Sequence, residues 1–276
     1  MPEAAAPPAG EYPPVDHLLR DLRLSITHLP DGSSEAILPV VDDVRAPSGA
    51  VRAGAVATVV DVVGGGLAAV AASPGWIATA DLTLHTLLVP AGDQLLARAR
   101  VARSGRTTVV LEVTISDGGE RIGLATMSFA VLERRANNPV IGGDALAEQM
   151  SVDFDGSGFR QPLRASIGIT PSGDPGVVEM VMSDYVRNTL GAAQGGVIAA
   201  IVDAAAENAL QHACGGPVEV VDLQLTYLAL GRVGPIRSRV RVLEANAQFG
   251  RAHVELVDAG AADRVTTLAR ATAVMP

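Results

Sequence analysis

The chain has 276 residues, of which 48% are apolar, 3% aromatic and 18% charged, a composition typical of folded proteins. Its length allows two domains. The net charge of −9 lacks the basic surplus of nucleic-acid binders, so no nucleic-acid partner is expected. All 21 basic residues are arginines, which excludes chemistry that needs a lysine, and the single cysteine, Cys214, excludes an internal disulfide.

The first 17 residues are rich in proline and alanine and predict a disordered tail. They lack the basic start and the long apolar run of a signal peptide, and together with the lone cysteine they favour a cytoplasmic protein. Residues 62–80 carry no charge but contain Gly64, Gly65, Gly66 and Pro74. This pattern predicts a buried helix followed by a turn, and no membrane span.

The chain contains an internal repeat. DDVRAPSG at 42–49 corresponds to DYVRNTLG at 184–191, an offset of 142 positions, and the same offset places Asp61 on Asp203. At an offset of 141, the segment around LTLHTLL corresponds to the one around LQLTYLAL. A repeat of this length indicates one fold used twice.

The repeat divides the chain into a first half at 18–135 and a second half at 159–276. Residues 136–158 between them are polar and glycine-rich, which predicts a linker.

Each half shows the same order of predicted elements. The first half begins with two short alternating segments and continues with one long apolar helix and four strands. These elements are predicted at 22–27, 36–40, 53–72, 77–88, 94–103, 107–116 and 121–132. The second half has its helix at 195–213 and its strands at 218–229, 235–244, 250–258 and 264–275. A helix that is apolar on nearly every side must be wrapped by the sheet, so each half is predicted to be α+β, with a curved antiparallel sheet around one helix.

The start of the second helix carries a spaced motif. Asn188 is followed six residues later by Gln194, then by Gly195 and Gly196, and Asp203 comes nine residues after Gln194. This pattern resembles the signature of the hotdog-fold acyl-CoA thioesterases of the PaaI-like group, which is Asn, a His six residues on, Gly-Gly, and an acid nine residues after the His. Gln194 stands where that group usually has His.

The resemblance implies two tandem hotdog domains and a specific activity. The protein would hydrolyse an acyl-CoA thioester to the free acid and coenzyme A, with no metal and no cofactor beyond the coenzyme A of the substrate. It would also be capable of forming a homo-oligomer of double-hotdog units.

In dimeric relatives of this family, the site lies between two hotdogs. One gives the Asn and the Gly amide, and the other gives the helix acid and a strand hydroxyl. Carried over to this chain, the resemblance implies a first site that joins Asn188, Gly195 and Gly196 to Asp61 and Thr79. Unpaired N–H groups at a helix start can polarise a thioester carbonyl, and an aspartate in an apolar helix can act as general base or nucleophile.

The second equivalent site would join Ala46, Arg52, Ala53 and Gly54 to Asp203 and Val220. It lacks both the Asn amide and the strand hydroxyl, so only the first site is expected to be fully catalytic. Asp203 with Glu207 one turn later also fits an ordinary solvated helix face.

Other residues allow weaker predictions. Arg106 and Arg251 lie at strand ends or turns and are candidate contacts for the coenzyme A phosphates. The run Gly64-Gly65-Gly66 inside a helix costs roughly 1 kcal/mol per glycine relative to alanine. It indicates either a kinked helix end or room for a ligand, and the sequence does not decide between them.

Two alternative functions remain open at this point. One is a non-catalytic double hotdog that binds acyl-CoA or lipid, which the replacement of His by Gln194 favours. The other is a hotdog hydratase, which is disfavoured because its Asp is followed five residues later by His, whereas Asp61 is followed by Gly66 and Asp203 by Asn208.

Overall fold

A computed structural model describes residues 12–133 and 151–276; residues 1–11 of the predicted tail and most of the predicted linker lie outside these ranges. The elements of the first half are α1 (Leu18–Asp21), β1 (Ser25–His28), β2 (Ser34–Pro39), α2 (Ala53–Ala72), β3 (Trp76–Thr86), β4 (Gln94–Ser104), β5 (Thr108–Asp117) and β6 (Glu120–Leu132). The described part of the chain continues with β7 (Ser151–Asp153), α3 (Leu163–Ser166), β8 (Ile169–Pro171), β9 (Val178–Met180), α4 (Gly195–Cys214), β10 (Glu219–Tyr227), β11 (Ile236–Ala245), β12 (Phe249–Asp258) and β13 (Arg264–Val274).

The described strands form one antiparallel sheet in the order β7-β1-β2-β4-β5-β6-β3-β10-β13-β12-β11-β9-β8. The two halves join where β3 pairs with β10, in a register that sets Leu82 opposite Leu225. Each half curls its part of the sheet around one long helix, as the apolar helices predicted.

The repeat extends to the irregularities of the sheet. Three strand pairs of the first half each contain one register shift, and the second half has shifts at the equivalent points. They lie at Thr79/Asp81 and Val220/Asp222, at Val101/Arg103 and Val242/Glu244, and at Ile115/Ser116 and Leu256/Val257. Because such bulges re-aim side chains, their repetition shows that the two halves share one backbone design.

The bulge in β3 has a direct consequence for Thr79. In a regular strand, residues 79 and 82 would face opposite sides of the sheet. Leu82 and Leu84 are fully buried, and Thr79 nevertheless also turns towards α2 and contacts Asp61. The bulge therefore allows both side chains to face the helix.

The long helices α2 and α4 are the cores of their halves and touch each other. Helix α2 is long and apolar enough to cross a bilayer, but fourteen of its residues are buried in this structure. The backbones of the two helices meet at two glycines. A Cβ on Gly196 would lie 2.3 Å from Thr58 Cα, and one on Gly54 would lie 2.7 Å from Ala200 Cα. Glycine at these two positions allows the close approach.

The helix bounds and those of the eight long strands agree with the prediction to within two residues. The short helices α1 and α3 were not predicted. Strand β7 lies within the predicted linker and pairs with β1, so that part of the linker is a sheet edge. Residues 12–17 are not a disordered tail, because His17 is fully buried against the second half. Composition alone suggested disorder, and contacts with a distant segment overcame it.

Candidate active site

Asp61 lies in the middle of α2 and is only 7% exposed. Its carboxylate accepts three hydrogen bonds. Thr79 Oγ1 donates to Oδ1 at 3.0 Å, and Gln194 Nε2 and Gly196 N donate to Oδ2 at 3.1 and 3.2 Å. Two of the three donors come from the second half, so the site is built across the boundary between the halves.

Gln194 links the start of α4 to this carboxylate. It is the N-cap residue, and its Oε1 accepts a hydrogen bond from Val197 N at 3.2 Å, while its Nε2 donates to Asp61. The cap satisfies one of the unpaired N–H groups at the helix start and holds the carboxamide in one orientation. Gln194, which stands where the PaaI-like group has His, is therefore an ordered and neutral hydrogen-bond donor.

Gly195 and Gly196 bring the helix start against the carboxylate. A Cβ on Gly195 would lie 2.7 Å from Asp61 Oδ1, so a side chain there would collide with the acid. Gly196 N–H is bonded to Asp61, whereas Gly195 N–H has no hydrogen-bond partner among the described residues. A free N–H at a helix start, beside a carboxylate, is suited to hold a carbonyl oxygen as it becomes negative.

Burial determines the electrostatics of the site. It raises the pKa of Asp61 to about 6, against the opposing effect of the hydrogen bonds from Thr79 and Gly196. Burial, and after it the Asp61 carboxylate, also raises the pKa of Tyr227, whose hydroxyl donates to Gly195 O at 2.9 Å. At neutral pH the site therefore contains an ionised carboxylate that still has substantial affinity for a proton, next to a neutral phenol.

The side chain of Asn188 makes its hydrogen bonds within its own turn. Its Oδ1 accepts hydrogen bonds from Leu190 N and Ala192 N, and its Nδ2 lies 3.5 Å from Ala193 O. These contacts hold the turn before α4, as a turn-capping Asn does. In this structure Asn188 shapes the loop and is not among the described donors to Asp61, and its candidate catalytic role stays a prediction.

The N-terminal segment packs against the same loop. His17 Nδ1 accepts from Leu19 N at 3.1 Å, so the neutral ring carries its proton on Nε2 and donates to Arg187 O at 2.9 Å. Tyr12 donates its hydroxyl to the same Arg187 O at 3.4 Å. Partial burial, and after it the Asp61 carboxylate, raises the pKa of Tyr12. This contact was not predictable from local sequence patterns, because it joins residues 170 or more positions apart.

The second equivalent site is organised differently. Asp203 Oδ2 accepts a hydrogen bond from Arg164 at 2.9 Å, and Arg164 also binds Glu207. Glu207 in turn is bonded to Arg52 at 2.9 Å. Asp203 and Glu207 therefore belong to a buried ion cluster with Arg52 and Arg164. This corrects the prediction of a solvated helix face for Asp203, whereas its candidate catalytic role stays a prediction.

Other groups fill the rest of this second site. Glu219 is buried and accepts hydrogen bonds from the backbone N–H and the hydroxyl of Ser48, which ties down the loop before α2. Val220 stands at the position of Thr79 and offers no hydroxyl. The small cleft that remains is lined by Arg52, Asp203, Glu207 and Glu219 together with apolar residues. The role of Arg164 was not predictable from local sequence patterns, because its partners Glu207 and Asp203 are 43 and 39 positions away along the chain.

The predicted coenzyme A contacts lie apart from these clusters. Arg106 is exposed in the turn between β4 and β5. Arg251 is exposed on β12, 3.4 Å from Glu244 and over the ring of Phe249. Their role stays a prediction. Within residues 12–133 and 151–276, no three metal-binding side chains are grouped so as to hold a metal ion.

Two family models match the chain, one in each half. The model described as acyl-CoA thioesterase N-terminal domain matches residues 186–275, and the model described as thioesterase superfamily matches residues 49–124. Together the two matches cover more than half of the 276 residues. The chain belongs to the thioesterase superfamily. This thioesterase is accordingly a thioester hydrolase with one thioesterase domain in each half.

Solved structures show the same fold for this thioesterase. The tesB protein of Mycobacterium avium subsp. paratuberculosis is 12% identical, with a TM-score of 0.64, and the match covers 94% of this chain and 97% of the other. An acyl-ACP thioesterase from Bacteroides thetaiotaomicron is 12% identical, with a TM-score of 0.57 and coverage of 88% and 98%.

A hotdog-fold protein from Alicyclobacillus acidocaldarius is 14% identical to this thioesterase, with a TM-score of 0.56 and coverage of 94% and 98%. The tandem hotdog prediction is confirmed. None of the curated proteins matches the chain.

Proposed function

We propose that this thioesterase hydrolyses acyl-CoA thioesters at the Asp61 site, with Asp61 as the general base. The observation that carries the proposal is the convergence of three elements. A buried carboxylate with a pKa of about 6 lies beside Thr79 and Gln194, and next to them is the free N–H of Gly195. A base with a pKa just below neutral is ionised at pH 7 and still accepts a proton effectively.

The proposed reaction proceeds in two steps. A water molecule held by Asp61 attacks the thioester carbonyl carbon, and its proton moves to the carboxylate. Gly195 N–H, assisted by the positive end of the α4 dipole, stabilises the negative carbonyl oxygen. The carbon–sulfur bond then breaks, Asp61 returns the proton to the departing sulfur, and the products are the free acid and coenzyme A. Thr79, Gln194 and Gly196 keep the carboxylate fixed throughout.

This assignment gives the two equivalent sites different roles. The second site has its acid paired with Arg164 and its loop tied by Glu219, and it has Val220 in place of a hydroxyl. We therefore assign turnover to the Asp61 site alone.

The experiment that tests the proposal is thiol release from short, medium, long and aryl acyl-CoAs by the wild type, Asp61→Asn and Asp203→Asn. The proposal predicts release by the wild type and by folded Asp203→Asn, and none by Asp61→Asn. Asp61→Asn as active as the wild type would overturn the assignment. Binding of acyl-CoA without release would support the alternative, a non-catalytic acyl-CoA-binding protein.

Single-turnover hydrolysis in ¹⁸O-water separates a base from a nucleophile. If Asp61 is a base, the solvent oxygen enters the product acid directly. Enzyme-derived ¹⁶O in the first product, with ¹⁸O left on Asp61, would instead show a covalent acyl-aspartate intermediate.

A further inference from the structure

The three glycines of α2 have different surroundings. A Cβ on Gly64 would lie 2.9 Å from Met127 Sδ, so this glycine is needed for packing of the helix on the sheet. A Cβ on Gly65 would meet only the edge of the Phe129 ring, at 4.0 Å, and one on Gly66 would meet nothing within 4 Å. Packing therefore explains Gly64 and leaves the other two unexplained.

Gly65 lies next to the proposed catalytic acid. It follows Asp61 by four residues, so the two lie on the same face of α2, one turn apart. Phe129, its nearest neighbour, is the cross-strand partner of Thr79. The open space at Gly65 thus adjoins the side chains of the Asp61 site.

The second half has a large side chain at the position equivalent to Gly65. The counterpart of Gly65 at the offset of 142 is Glu207, whose carboxylate is bonded to Arg164 and Arg52. Helices α1 and α3 correspond, which places Leu19 at the position of Arg164. Where the second half has a buried ion pair, the first half has a leucine and a glycine.

The same contrast holds at the other charged positions. Arg52 corresponds to Gln194, and Glu219 corresponds to Ala78 at the offset of 141. All four charged residues that surround Asp203 are therefore replaced by uncharged residues around Asp61. The Asp61 site therefore lacks the charges of its counterpart, and it has the phenol of Tyr227 where the second site has Thr86.

We infer that the space beside Gly65 is the acyl pocket of the Asp61 site, that Gly65 determines the size of the acyl group accepted, and that this group is uncharged and apolar. The inference rests on the proposed function. A carbonyl presented to Gly195 N–H and Asp61 must direct its acyl substituent into adjoining room, and beside Gly65 a Cβ would meet only Phe129 within 4 Å. An acyl group that ends in a carboxylate would be repelled by the Asp61 carboxylate. The Asp61 site has no counterpart of Arg52 or Arg164 to pair with such a group.

The test compares Gly65→Leu with Gly66→Leu. Both variants place the same side chain on the same helix, but residue 66 is rotated a further 100° from the Asp61 face, so it serves as the matched control. We expect Gly65→Leu to lower the ratio of kcat/KM for long-chain acyl-CoA to kcat/KM for acetyl-CoA at least tenfold. Gly66→Leu should leave both within about twofold. Butyryl-CoA should exceed succinyl-CoA at least tenfold in the wild type.

An unchanged chain-length profile in Gly65→Leu that melts cooperatively would overturn the inference, as would equal use of succinyl-CoA and butyryl-CoA. Gly65→Ala provides a milder variant that gains helix propensity if the leucine fails to fold. If the wild type releases no thiol, the proposed function fails first. Calorimetry with non-hydrolysable thioether analogues of acyl-CoA then tests the pocket alone. If Gly65→Ala and Gly65→Leu leave the binding of the long-chain analogue unchanged, the pocket beside Gly65 is excluded.

Discussion

The carboxamide of Gln194 donates from Nε2 to Oδ2 of Asp61 at 3.1 Å, across the boundary between the two halves. Neither half alone contains this pair. An imidazole at position 194 would be able to take up a proton and form an ion pair with the acid. Glutamine remains neutral at every accessible pH, so it orients the carboxylate without holding its pKa down by a positive charge.

Asp61→Asn should abolish most of the turnover and raise the free energy of unfolding at neutral and alkaline pH. The asparagine can accept from Gln194 and Gly196 and donate to Thr79, so the hydrogen bonds survive while the base is lost. Because the folded-state pKa of about 6 exceeds the ordinary 3.8, ionising Asp61 costs the fold stability as the pH rises from 3.8 to 6. The shift of about two pH units corresponds to about 3 kcal/mol.

Thermal or urea unfolding should therefore show Asp61→Asn more stable than the wild type at pH 8, and the difference should vanish near pH 3.5. Turnover at pH 8 should fall by at least about 10²-fold, the contribution typical of a general base. A less stable variant at pH 8 would contradict the burial of an ionised Asp61.

The pH dependence of turnover follows from the same carboxyl group. Asp61 acts as a base only when ionised, so kcat/KM should rise with pH through a midpoint near 6 and then level off. The measurement is thiol release at saturating and low substrate from pH 4.5 to 8.5. A midpoint near the ordinary aspartate value, 3.8, would show that the acid is hydrated in the working enzyme.

Gln194→Glu is a change of nearly equal size that places a second carboxylate against Asp61. Like charges in contact cannot both ionise easily, so the midpoint of the pH–rate profile should move upward by one unit or more. Gln194→Ala removes one donor to Asp61 and the cap of α4, and it should cost about 1 kcal/mol of unfolding free energy. A profile in Gln194→Glu that matches the wild type would show that residue 194 is away from the base during turnover.

Thr79→Val tests the hydroxyl that donates to Asp61 Oδ1. The second half already carries valine at this place, Val220, so the strand accommodates the change. Losing the donor should raise the pKa of Asp61 and reduce kcat at pH 7 by about tenfold, the factor equivalent to about 1.4 kcal/mol. Thr79→Ser should restore most of the rate, and Val220→Thr, the matched change at the other site, should have no effect on it.

The ion cluster of the second half should matter for stability and not for turnover. Arg164→Leu leaves Asp203 without its partner in a buried position, which should cost about 3–5 kcal/mol. Adding Asp203→Asn removes the stranded charge and should recover part of that loss. Denaturant unfolding measures both steps. A large change in turnover per folded molecule would show that Asp203 takes part in the reaction.

The arrangement of the fold could be predicted because the patterns that mark its elements are local and occur twice in the chain. The period of the apolar residues marks α2 and α4, and the offset of 142 between Asp61 and Asp203 marks the repeat. The short elements could not be predicted, because no local pattern marks them. Strand β7 and helix α1 are held by neighbours that are remote in the chain, and composition near them suggests a tail and a linker.

The candidate site was only partly predictable for a similar physical reason. Spacing along α4 identified Gln194, Gly195 and Gly196, and the repeat identified Asp61 as the equivalent of Asp203. Nothing local shows which of the two acids is paired with an arginine, since Arg164 reaches Asp203 only when α3 packs against α4. Asn188 also matched by spacing, but its side chain is used by its own turn.

The number of halves, their helices and long strands, and the residue types available for chemistry could all be predicted from the sequence, because periodicity and repetition are properties of the chain. Where those residues meet depends on the tertiary structure. It placed Gln194 on Asp61 across the β3–β10 junction, paired Asp203 with Arg164 in the second site, and left Gly65 with only Phe129 close to its Cβ position. Burial and charge pairing depend on the packing of elements that are distant in the chain, and this packing gives the two equivalent helices different chemical surroundings.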